Sequence, residues 1–577
     1  MNIVELENCL IELVGDVILN RYDCSCREFT LTTPPPNIDA DYAIACFNAA
    51  KILKKSPQMI AQEIISHFKP VEWLADVSAQ GPYVNFRLEP AFLCQTVIHQ
   101  ALASADEFGK TSLTNPRTVL IEYSSPNTNK PLHLGHIRNN VLGMAIVNLL
   151  TSQGHHVIPA SIMNDRGIHI CKAMVAYTHF FLGKTPKTEN MKGDHFVGQC
   201  YVAFELAAKS NSELLEESRQ LLREWEAGNT EVHQLWEQLN SWVYEGFNET
   251  YTRLGSLFDL VQYESETYKL GRKIVENGLS SNVFYKQDDG SIWVDLTDTG
   301  LDHKALLRAD GTSLYVTQDL GVAVERFRKY HLDQVIYVVA SEQNYHFNVL
   351  FELFRRLGYD WWNRCYHLNY GMVYLPEGKM KSREGKVVDA DTLMDQMKLL
   401  ALEVMEDSRI AVDYNDKDSI AEAIGTGAIK YYILKVNPSK DIHFDPKESL
   451  SFEGATGAYI QYTYARIQSV YRKSHWSESL LNFDASALST LEELNLVRTL
   501  LRYPGVLKSA AEELNPAKVC MYLWELAKAF NGFYHKHRII DAESDSLRKA
   551  RLALAVATGY GIRSGLTVLG IKPLDRM

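Results

Sequence analysis

The chain has 577 residues, of which 46% are hydrophobic and 23% are charged, and its formal net charge is −12 at pH 7. This length exceeds what one hydrophobic core supports, so we expect several domains of ordinary globular composition. The negative charge argues against a protein that coats nucleic acid through bulk positive charge, and no apolar run approaches the length needed to cross a bilayer. Basic and acidic residues nearly balance from Asp441 onward, which makes the C-terminal part the more favourable place for an RNA partner.

Residues 1–112 are predicted to form a separate N-terminal α/β module. The start of the chain has amphipathic helical spacing and no basic segment before an apolar one, which indicates a helix rather than an export signal. Apolar spacing predicts a helix over residues 42–61, and a β-type pattern predicts a strand over residues 83–88. The nine cysteines are scattered, so reduced thiols in a cytoplasmic protein are the simplest interpretation.

Residues 113–400 are predicted to form a Rossmann-type α/β domain built on a parallel sheet. Continuous apolar runs alternate with helical segments, which is typical of parallel strands buried on both faces. The predicted strands are residues 118–123, 156–163, 335–340 and 366–375, and a helix is predicted from about Gly135. Residues 185–285 are polar and mostly helical, and we interpret them as an insertion. Helical periodicity over residues 401–577 predicts a C-terminal α-helical bundle.

The most informative segment is the loop after the first of these strands. His133 and His136 stand three residues apart at a predicted helix start, where backbone N–H groups favour anions. Gly135 leaves the backbone open to a nucleotide, and Lys130 precedes the pair. Two such histidines are by themselves more often structural, but the strand–loop–helix setting favours a phosphate-binding role.

A second cationic segment follows the fourth predicted strand and contains Lys379, Lys381, Arg383 and Lys386. Taken alone, such a charge run is usually a solvated basic turn. Together with the histidine pair it resembles the HIGH and KMSKS signatures of class I aminoacyl-tRNA synthetases, both in order and in strand–loop setting. The segment departs from KMSKS because Ser382 stands at the second lysine position.

The resemblance implies that ATP, with Mg²⁺, is a substrate whose α-phosphate is attacked by an amino-acid carboxylate. That chemistry depends on positioning and charge neutralisation, and no permanent metal site is expected. The implied catalytic residues are His133, His136, Lys130 and Lys379, and the implied ATP contacts are Gly135, His133, His136, Lys379 and Lys381. In arginyl-tRNA synthetases a lysine just before HIGH commonly accompanies the missing loop lysine. Lys130 holds that place, and Lys381 is the alternative.

The candidate amino-acid pocket contains Tyr315 and Asp319, which lie one turn apart on a predicted helix. A guanidinium is planar, permanently charged and rich in donors, so its pocket needs carboxylates and other acceptors. These residues resemble the arginine-binding set of arginyl-tRNA synthetases. The implied set is Glu122, Ser124, Asn127, His136, Tyr315, Asp319 and Gln343. Taken singly, Tyr315 could be a core residue, Asp319 a helix N-cap and Glu122 a solvent-facing strand end.

Asn164-Asp165-Arg166-Gly167 follows the second strand, at the sheet edge where open α/β folds bind ligands. It resembles a segment of the same family that usually reads Asn-Asp-Trp-Gly. Arg166 replaces the tryptophan, and it is assigned no role.

The C-terminal part interleaves aromatic and basic residues, as proteins that bind unpaired bases do. It resembles the anticodon-binding domain of arginyl-tRNA synthetases, and the N-terminal module resembles their additional domain at the outer corner of tRNA. Aromatic residues at helical spacing are more often core residues, so we expect most of them to be buried. The predicted tRNA contacts are Tyr464, His535, Lys536 and Arg538.

The combined hypothesis is an enzyme that joins L-arginine to its cognate tRNA through arginyl adenylate, releasing AMP and pyrophosphate, as a cytoplasmic monomer. One alternative is a class I synthetase for another amino acid, of which lysine is the hardest to exclude, or a related nucleotidyltransferase. The other is a tRNA-binding relative without catalysis. Because His133, His136, Lys130 and Lys379 are all present, the enzyme is favoured.

Overall fold

The computed structural model describes residues 1–24, 29–35, 37–374, 388–407, 416–476 and 478–577. Within these ranges it contains an N-terminal α/β module, a central domain on a parallel sheet, and a C-terminal bundle of helices. None of the helices in the described ranges is long and apolar enough to cross a membrane.

The N-terminal module is a small antiparallel sheet covered by helices. The helix α1 (Ile3–Tyr22) begins at a capping box, in which the side chain of Asn2 accepts from the backbone N–H of Glu5 and the side chain of Glu5 accepts from that of Asn2. The sheet has the order β1-β2-β4-β3, and all its pairings are antiparallel. The other elements are β1 (Leu31–Thr32), β2 (Tyr42–Ala45), α2 (Phe47–Leu53), α3 (Pro57–His67), β3 (Leu74–Gln80), β4 (Tyr83–Leu88) and α4 (Pro90–Ser104).

The central domain is built on a five-stranded sheet in which every neighbouring pair is parallel. The first part of this domain comprises β5 (Thr118–Glu122), α5 (Leu134–Ser152), β6 (His156–Met163), α6 (Ile168–Ala176), α7 (Gly193–Ala207), α8 (Glu213–Glu226), α9 (Thr230–Leu254) and β7 (Leu260–Tyr263). The second part comprises α10 (Glu264–Thr267), α11 (Leu270–Ser280), β8 (Tyr285–Lys286), β9 (Ile292–Val294), β10 (Lys304–Leu307), α12 (Tyr315–Tyr330), β11 (Gln334–Ala340), α13 (Asn344–Arg356), β12 (Cys365–Tyr370) and β13 (Val373–Tyr374).

The order of the central sheet is β12-β11-β5-β6-β7. Strands β6 and β7 are thus added on one side of β5, and β11 and β12 on the other. One face of the sheet packs on α5 within a core that continues into the N-terminal module and the C-terminal helices. The other face is covered by α12 and α13 and by the small antiparallel sheet of β8 to β10. Both faces are therefore buried, which explains why the strands are continuous apolar runs.

The C-terminal helices pack on both other parts of the protein. They comprise α14 (Ala390–Asp407), α15 (Lys417–Leu434), β14 (Ile442–His443), α16 (Pro446–Ser449), α17 (Gly457–Ser474), α18 (Leu491–Leu501), α19 (Tyr503–Glu512), α20 (Ala517–Lys536) and α21 (Asp545–Val568). Helices α15, α19 and α21 contact α5, whereas α18 and α21 contact α4. An ion pair between Arg498 and Asp41 (2.7 Å) also joins the bundle to the N-terminal module.

The predicted fold class is confirmed, and the elements differ from prediction in three places. Residues 42–45 form β2 rather than the start of a helix, because their buried run pairs with β4 on one side and β1 on the other. The strand predicted at 366–375 is divided, since β12 ends at Tyr370 and β13 pairs with β14 instead of joining the main sheet. The presumed insertion at 185–285 contains β7, which is the edge strand of that sheet.

Candidate functional site

His133 and His136 lie in the first turn of α5, beside the carboxyl end of β5. His133 caps the helix: its Nδ1 accepts a hydrogen bond from the backbone N–H of Gly135 (3.1 Å). The Nδ1 of His136 accepts one from the backbone N–H of His133 (3.1 Å), and the ring centroids are 3.9 Å apart. Because each Nδ1 is an acceptor, each neutral ring carries its proton on Nε2. The two Nε2–H groups are therefore the donors left for a ligand.

Both imidazoles are neutral at pH 7. Burial, assisted by the charge of Lys130, lowers the pKa of His133 to about 4. Burial also holds the pKa of His136 well below its ordinary value, with His133 and Lys130 adding to the effect. A neutral ring with a fixed Nε2–H can donate to a phosphate oxygen, and the adjacent helix N-terminus adds positive potential.

Lys130 and Gly135 complete this group. Lys130 is partly buried, and burial lowers the pKa of its ammonium. Its charge acts on both histidines, so all three nitrogen-bearing side chains face one region. A Cβ atom at Gly135 would lie 3.0 Å from Cε1 of His133, closer than ordinary packing allows. A larger residue here would push the ring of His133 away from its capping position.

Lys379 and Lys381 lie in residues 375–387, outside the described residues, but the chain on either side is described. Before this segment, β13 pairs in parallel with β14. After it, the backbone of residues 388–390 runs beside the histidine turn: Leu134 N–H donates to Val388 O (3.2 Å), and Ala390 N–H donates to Leu132 O (3.0 Å). The predicted cationic segment is thus followed by residues that lie against the candidate phosphate site.

Arg138, on the same helix as the two histidines, was not singled out by the sequence. Its guanidinium donates to three backbone carbonyls: Met372 O (2.8 Å), Pro438 O (2.9 Å) and Lys440 O (2.6 Å). The side chain also lies over the ring of Tyr370. Burial lowers the pKa of Arg138 to about 10, so the group remains charged at pH 7. Arg138 thereby joins α5 to the bend between β12 and β13 and to the chain before β14.

Tyr315 and Asp319 lie on the first turns of α12, as the spacing predicts. Asp319 accepts from His346 (2.7 Å), whose ring packs against that of Tyr315 with centroids 5.0 Å apart. Tyr315 is 57% exposed, so it is not a core residue. The charge of Asp319, with the nearby carboxylates of Glu122 and Glu264 adding to it, raises the pKa of the Tyr315 phenol. An aromatic ring surrounded by carboxylates suits a planar cation.

Glu122 and Ser124, at the end of β5, are buried and occupied by internal partners. The carboxylate of Glu122 accepts from the buried guanidinium of Arg326 on α12, so Glu122 is not a solvent-facing strand end. The hydroxyl of Ser124 is hydrogen-bonded to Tyr251 (2.8 Å) and Asn140 (3.0 Å). Ser124 also has a positive φ of 58°, which places the chain in a sharp turn as it leaves the sheet.

Asn127 and Gln343 are exposed at the same edge of the sheet. Asn127 forms an isolated parallel bridge with Asn164, which follows β6. Gln343 follows β11 and immediately precedes α13. The candidate residues thus come from the carboxyl ends of neighbouring parallel strands, which is where open α/β sheets bind ligands.

Glu264 is a further candidate for this pocket, and it was not identified from the sequence. It lies at the carboxyl end of β7 and begins α10. Burial and the charges of Asp165 and Asp319, opposed by Arg166, raise the pKa of Glu264 to about 7. The only local signal was a glutamate directly after a short β-type run. That signal was hidden because the run lies inside the segment interpreted as an insertion.

The C-terminal bundle contains a basic cavity of about 1010 Å³. His535, Lys536 and Arg538 are exposed and line it, together with Arg466, Arg472, Lys473, Tyr462, Tyr534, His537 and Arg576. Tyr464 is not a surface contact, because it is only 2% exposed and faces the interior of the bundle. The surface tyrosines are instead Tyr462 and Tyr534, whose rings flank the guanidinium of Arg466 at 4.8 and 5.2 Å.

One cluster in the described ranges has the spacing of metal ligands: Asp194, His195 and Asp391. Lys192 places its ammonium 3.3 Å from Asp194 and 2.6 Å from Asp391. The side chain of Arg253 also reaches Asp391 (3.4 Å). Internal cations therefore balance these carboxylates, which form a charged junction between α7, α9 and α14.

Three protein-family models match the chain in succession. They are the "Arginyl tRNA synthetase N terminal domain" over residues 5–88, "tRNA synthetases class I (R), catalytic domain" over residues 97–446, and the "DALR anticodon binding domain" over residues 460–577.

Similar proteins extend along the whole chain. An arginine–tRNA ligase of Treponema denticola is 44% identical over 561 residues, covering 96% of this chain and 95% of its own. One of Bacteroides thetaiotaomicron is 44% identical over 559 residues, covering 92% and 93%. Among solved structures, Thermus thermophilus arginyl-tRNA synthetase is 26% identical, with a TM-score of 0.79 over 99% of each chain. The Plasmodium falciparum enzyme, at 19% identity and a TM-score of 0.80, supports the fold alone.

Proposed function

Because the chain belongs to the arginyl-tRNA synthetase family, we propose that it attaches L-arginine to its cognate tRNA through an arginyl-adenylate intermediate, with release of AMP and pyrophosphate. The observation that carries the proposal is the proximity of two kinds of site at one sheet edge. Two neutral histidines with free Nε2–H donors cap α5, and a pocket of carboxylates around Tyr315 lies at the ends of the neighbouring strands.

In the first step the carboxylate of arginine attacks the α-phosphorus of ATP, and pyrophosphate leaves. His133 and His136 donate Nε2–H hydrogen bonds to the α-phosphate oxygens as charge accumulates there. Lys130 neutralises charge on the β- and γ-phosphates. We assign Lys379 the same task and keep Lys381 as an alternative to Lys130. Mg²⁺ accompanies the ATP as part of the substrate.

Arginine is recognised mainly through its guanidinium. Asp319 and Glu264 accept its N–H groups, while the ring of Tyr315 packs against its plane. Glu122, Ser124, Asn127 and Gln343, with His136, are assigned to the amino and carboxylate end of the substrate. Since Glu122 and Ser124 already have internal partners, their part is to shape that end and to offer their remaining acceptor positions.

This pocket favours arginine over lysine. Two carboxylates close to an aromatic ring suit the planar, donor-rich guanidinium, whereas a lysine ammonium is a compact charge with three donors. The lysine alternative is therefore disfavoured, and a direct comparison of the two amino acids tests it.

Two surfaces are proposed to contact tRNA. In the bundle, the basic cavity with Lys536, Arg538 and the exposed Tyr534 suits the phosphates and unpaired bases of an anticodon loop. In the N-terminal module, Phe47 and Tyr83 form an exposed edge-to-face pair with centroids 6.0 Å apart. That pair offers an aromatic surface for a base at the outer corner of tRNA.

The test is arginine-dependent exchange of pyrophosphate into ATP, measured with and without cognate tRNA, alongside charging of tRNA with labelled arginine. We expect charging with arginine and none with lysine. Family resemblance further predicts exchange only when tRNA is present. Exchange without tRNA would support arginine as the substrate and refute the dependence of adenylate formation on tRNA. Charging with lysine, or none with either amino acid in folded protein, would refute the proposal.

A monomeric state and a cytoplasmic location stay predictions. Light scattering coupled to size-exclusion chromatography should give a mass near 65.5 kDa for a monomer. A mass twice as large would contradict the monomer.

A further inference from the structure

Arg166 stands where the family segment usually has tryptophan, and its guanidinium is enclosed. Its side chain is only 11% exposed. The Cζ atom lies 4.0 Å from the ring centroid of Tyr268 and 5.4 Å from that of Trp225. Its Nη2 donates to the carboxylate of Glu226. Helix α8 and the segment after β7 thus form an aromatic and acidic cage around one internal cation.

The other side of this cation faces Glu264. Nη1 of Arg166 lies 4.0 Å from Oε1 of Glu264. Glu264 also accepts a hydrogen bond from Gln318 on α12, and the charge of Asp319 on the same helix raises its pKa. Glu264 therefore stands between the internal guanidinium and the pocket proposed for the guanidinium of the substrate.

The surroundings of Glu264 are otherwise strongly acidic. Asp165 acts on it from the loop after β6, and Asp319 acts on it from α12. The charge of Glu264 in turn raises the pKa of Tyr315, which is also on α12. The carboxylate of Asp165 itself accepts two hydrogen bonds from Ser265 and one from Tyr244. Burial and these two aspartates favour a proton on Glu264, whereas Arg166 opposes it, and the pKa that results is about 7.

We propose that Arg166 is a positioning residue for arginine recognition, which holds the carboxylate of Glu264 toward the pocket and favours its charged form without itself touching the substrate. This inference rests on the proposed function, since it requires Glu264 to receive arginine. A protonated carboxyl loses its charge and part of its acceptor capacity toward a guanidinium. Arginine affinity should therefore fall as pH drops through the pKa of Glu264, and loss of Arg166 should move that fall to higher pH.

The test is calorimetric titration of the full chain with L-arginine between pH 6 and pH 8.5. In Arg166→Met, an opposite charge 4.0 Å from Glu264 is lost, so the midpoint should rise by about one pH unit and affinity at pH 6.5 should fall several-fold, up to about tenfold, below wild type. At pH 8.5 the two should approach each other. Arg166→Lys, which keeps the charge, should restore most of the affinity at pH 6.5.

Glu226→Gln should shift the pH at which arginine affinity falls in the opposite direction to Arg166→Met. With Glu226 neutral, the charge of Arg166 is less compensated, so the fall in affinity should move to lower pH than in wild type. An equal loss of affinity at every pH in Arg166→Met would show a merely structural role and overturn the inference, as would an unchanged profile. If Arg166→Met fails to fold, an unshifted profile in Glu226→Gln overturns it instead.

A fourth variant separates this inference from the proposed function. Glu264→Gln should bind arginine weakly at every pH and lose the pH-dependent fall. Wild-type binding in Glu264→Gln would remove Glu264 from the pocket and refute that part of the proposed function. Weak, pH-independent binding in Glu264→Gln combined with an unshifted Arg166→Met profile would refute only the role of Arg166.

Discussion

Replacement of Arg138 by methionine should destabilise the protein by about 3 kcal/mol, because this buried guanidinium joins three segments of the chain. Arg138 is only 2% exposed and pairs with backbone carbonyls rather than with a carboxylate. The three carbonyls belong to Met372, Pro438 and Lys440. Methionine fills much of the same volume, so the change removes the hydrogen bonds without creating a large cavity.

The magnitude follows from what each carbonyl retains. Met372 O also accepts from the N–H of Ile442 (2.8 Å), and Pro438 O accepts from that of Gly371 (3.0 Å). Among the described residues, Lys440 O has no second donor. Lys440 O, in a partly buried position, is thus left without its donor at about 1 kcal/mol, and two charge-assisted bonds are lost at about 1.5 kcal/mol or more each. Release of the guanidinium from its buried position offsets part of this sum.

The measurement is urea unfolding followed by tryptophan fluorescence. Arg138→Lys should lose less stability than Arg138→Met, because an ammonium keeps the charge but cannot span three carbonyls. Arg355→Met is the matched control: Arg355 is an exposed arginine on α13 whose partner is Glu352, and its loss should leave the unfolding midpoint unchanged. A loss below about 1 kcal/mol in Arg138→Met would refute the reasoning that these carbonyls depend on Arg138.

Four further changes test the candidate site. His136→Asn should reduce kcat of arginine-dependent exchange by at least about 100-fold and arginine affinity far less, because the donor acts mainly on the phosphate in the transition state; equal losses in both would contradict this. Gly135→Ala should lower kcat by about tenfold or more, since its Cβ displaces His133; wild-type kcat would show that the capping geometry is not needed. Asp319→Asn should weaken arginine binding by about 10- to 100-fold in calorimetry and leave ATP binding unchanged. The double variant Lys536→Ala with Arg538→Ala should raise KM for tRNA and reduce its salt dependence, and an unchanged KM would move the tRNA contact elsewhere.

Local sequence determined the histidine turn and the helix that carries Tyr315 and Asp319. The histidine turn depends on residues within a few positions of one another, since His133 caps α5 through the N–H of Gly135. The placement of Tyr315 and Asp319 on one face of α12 follows from helical spacing alone, because residues four apart share a face. Strands β4 and β6 were predicted at their observed bounds for a similar reason, as their apolar patterns are local.

Tertiary structure decided the features that join distant parts of the chain. Glu122 on β5 forms an ion pair with Arg326 on α12. Glu264 lies beside the candidate pocket because β7 pairs with β6 as the edge strand of the sheet. No local sequence pattern predicts either of these contacts. On α17, the sequence analysis predicted Tyr464 as a surface contact and did not identify Tyr462. Only the packing of α17 against α15, α20 and α21 buries Tyr464 and leaves Tyr462 beside the basic cavity. Residue type and spacing thus specify which groups are available, whereas the direction in which each group points depends on which elements pack against it.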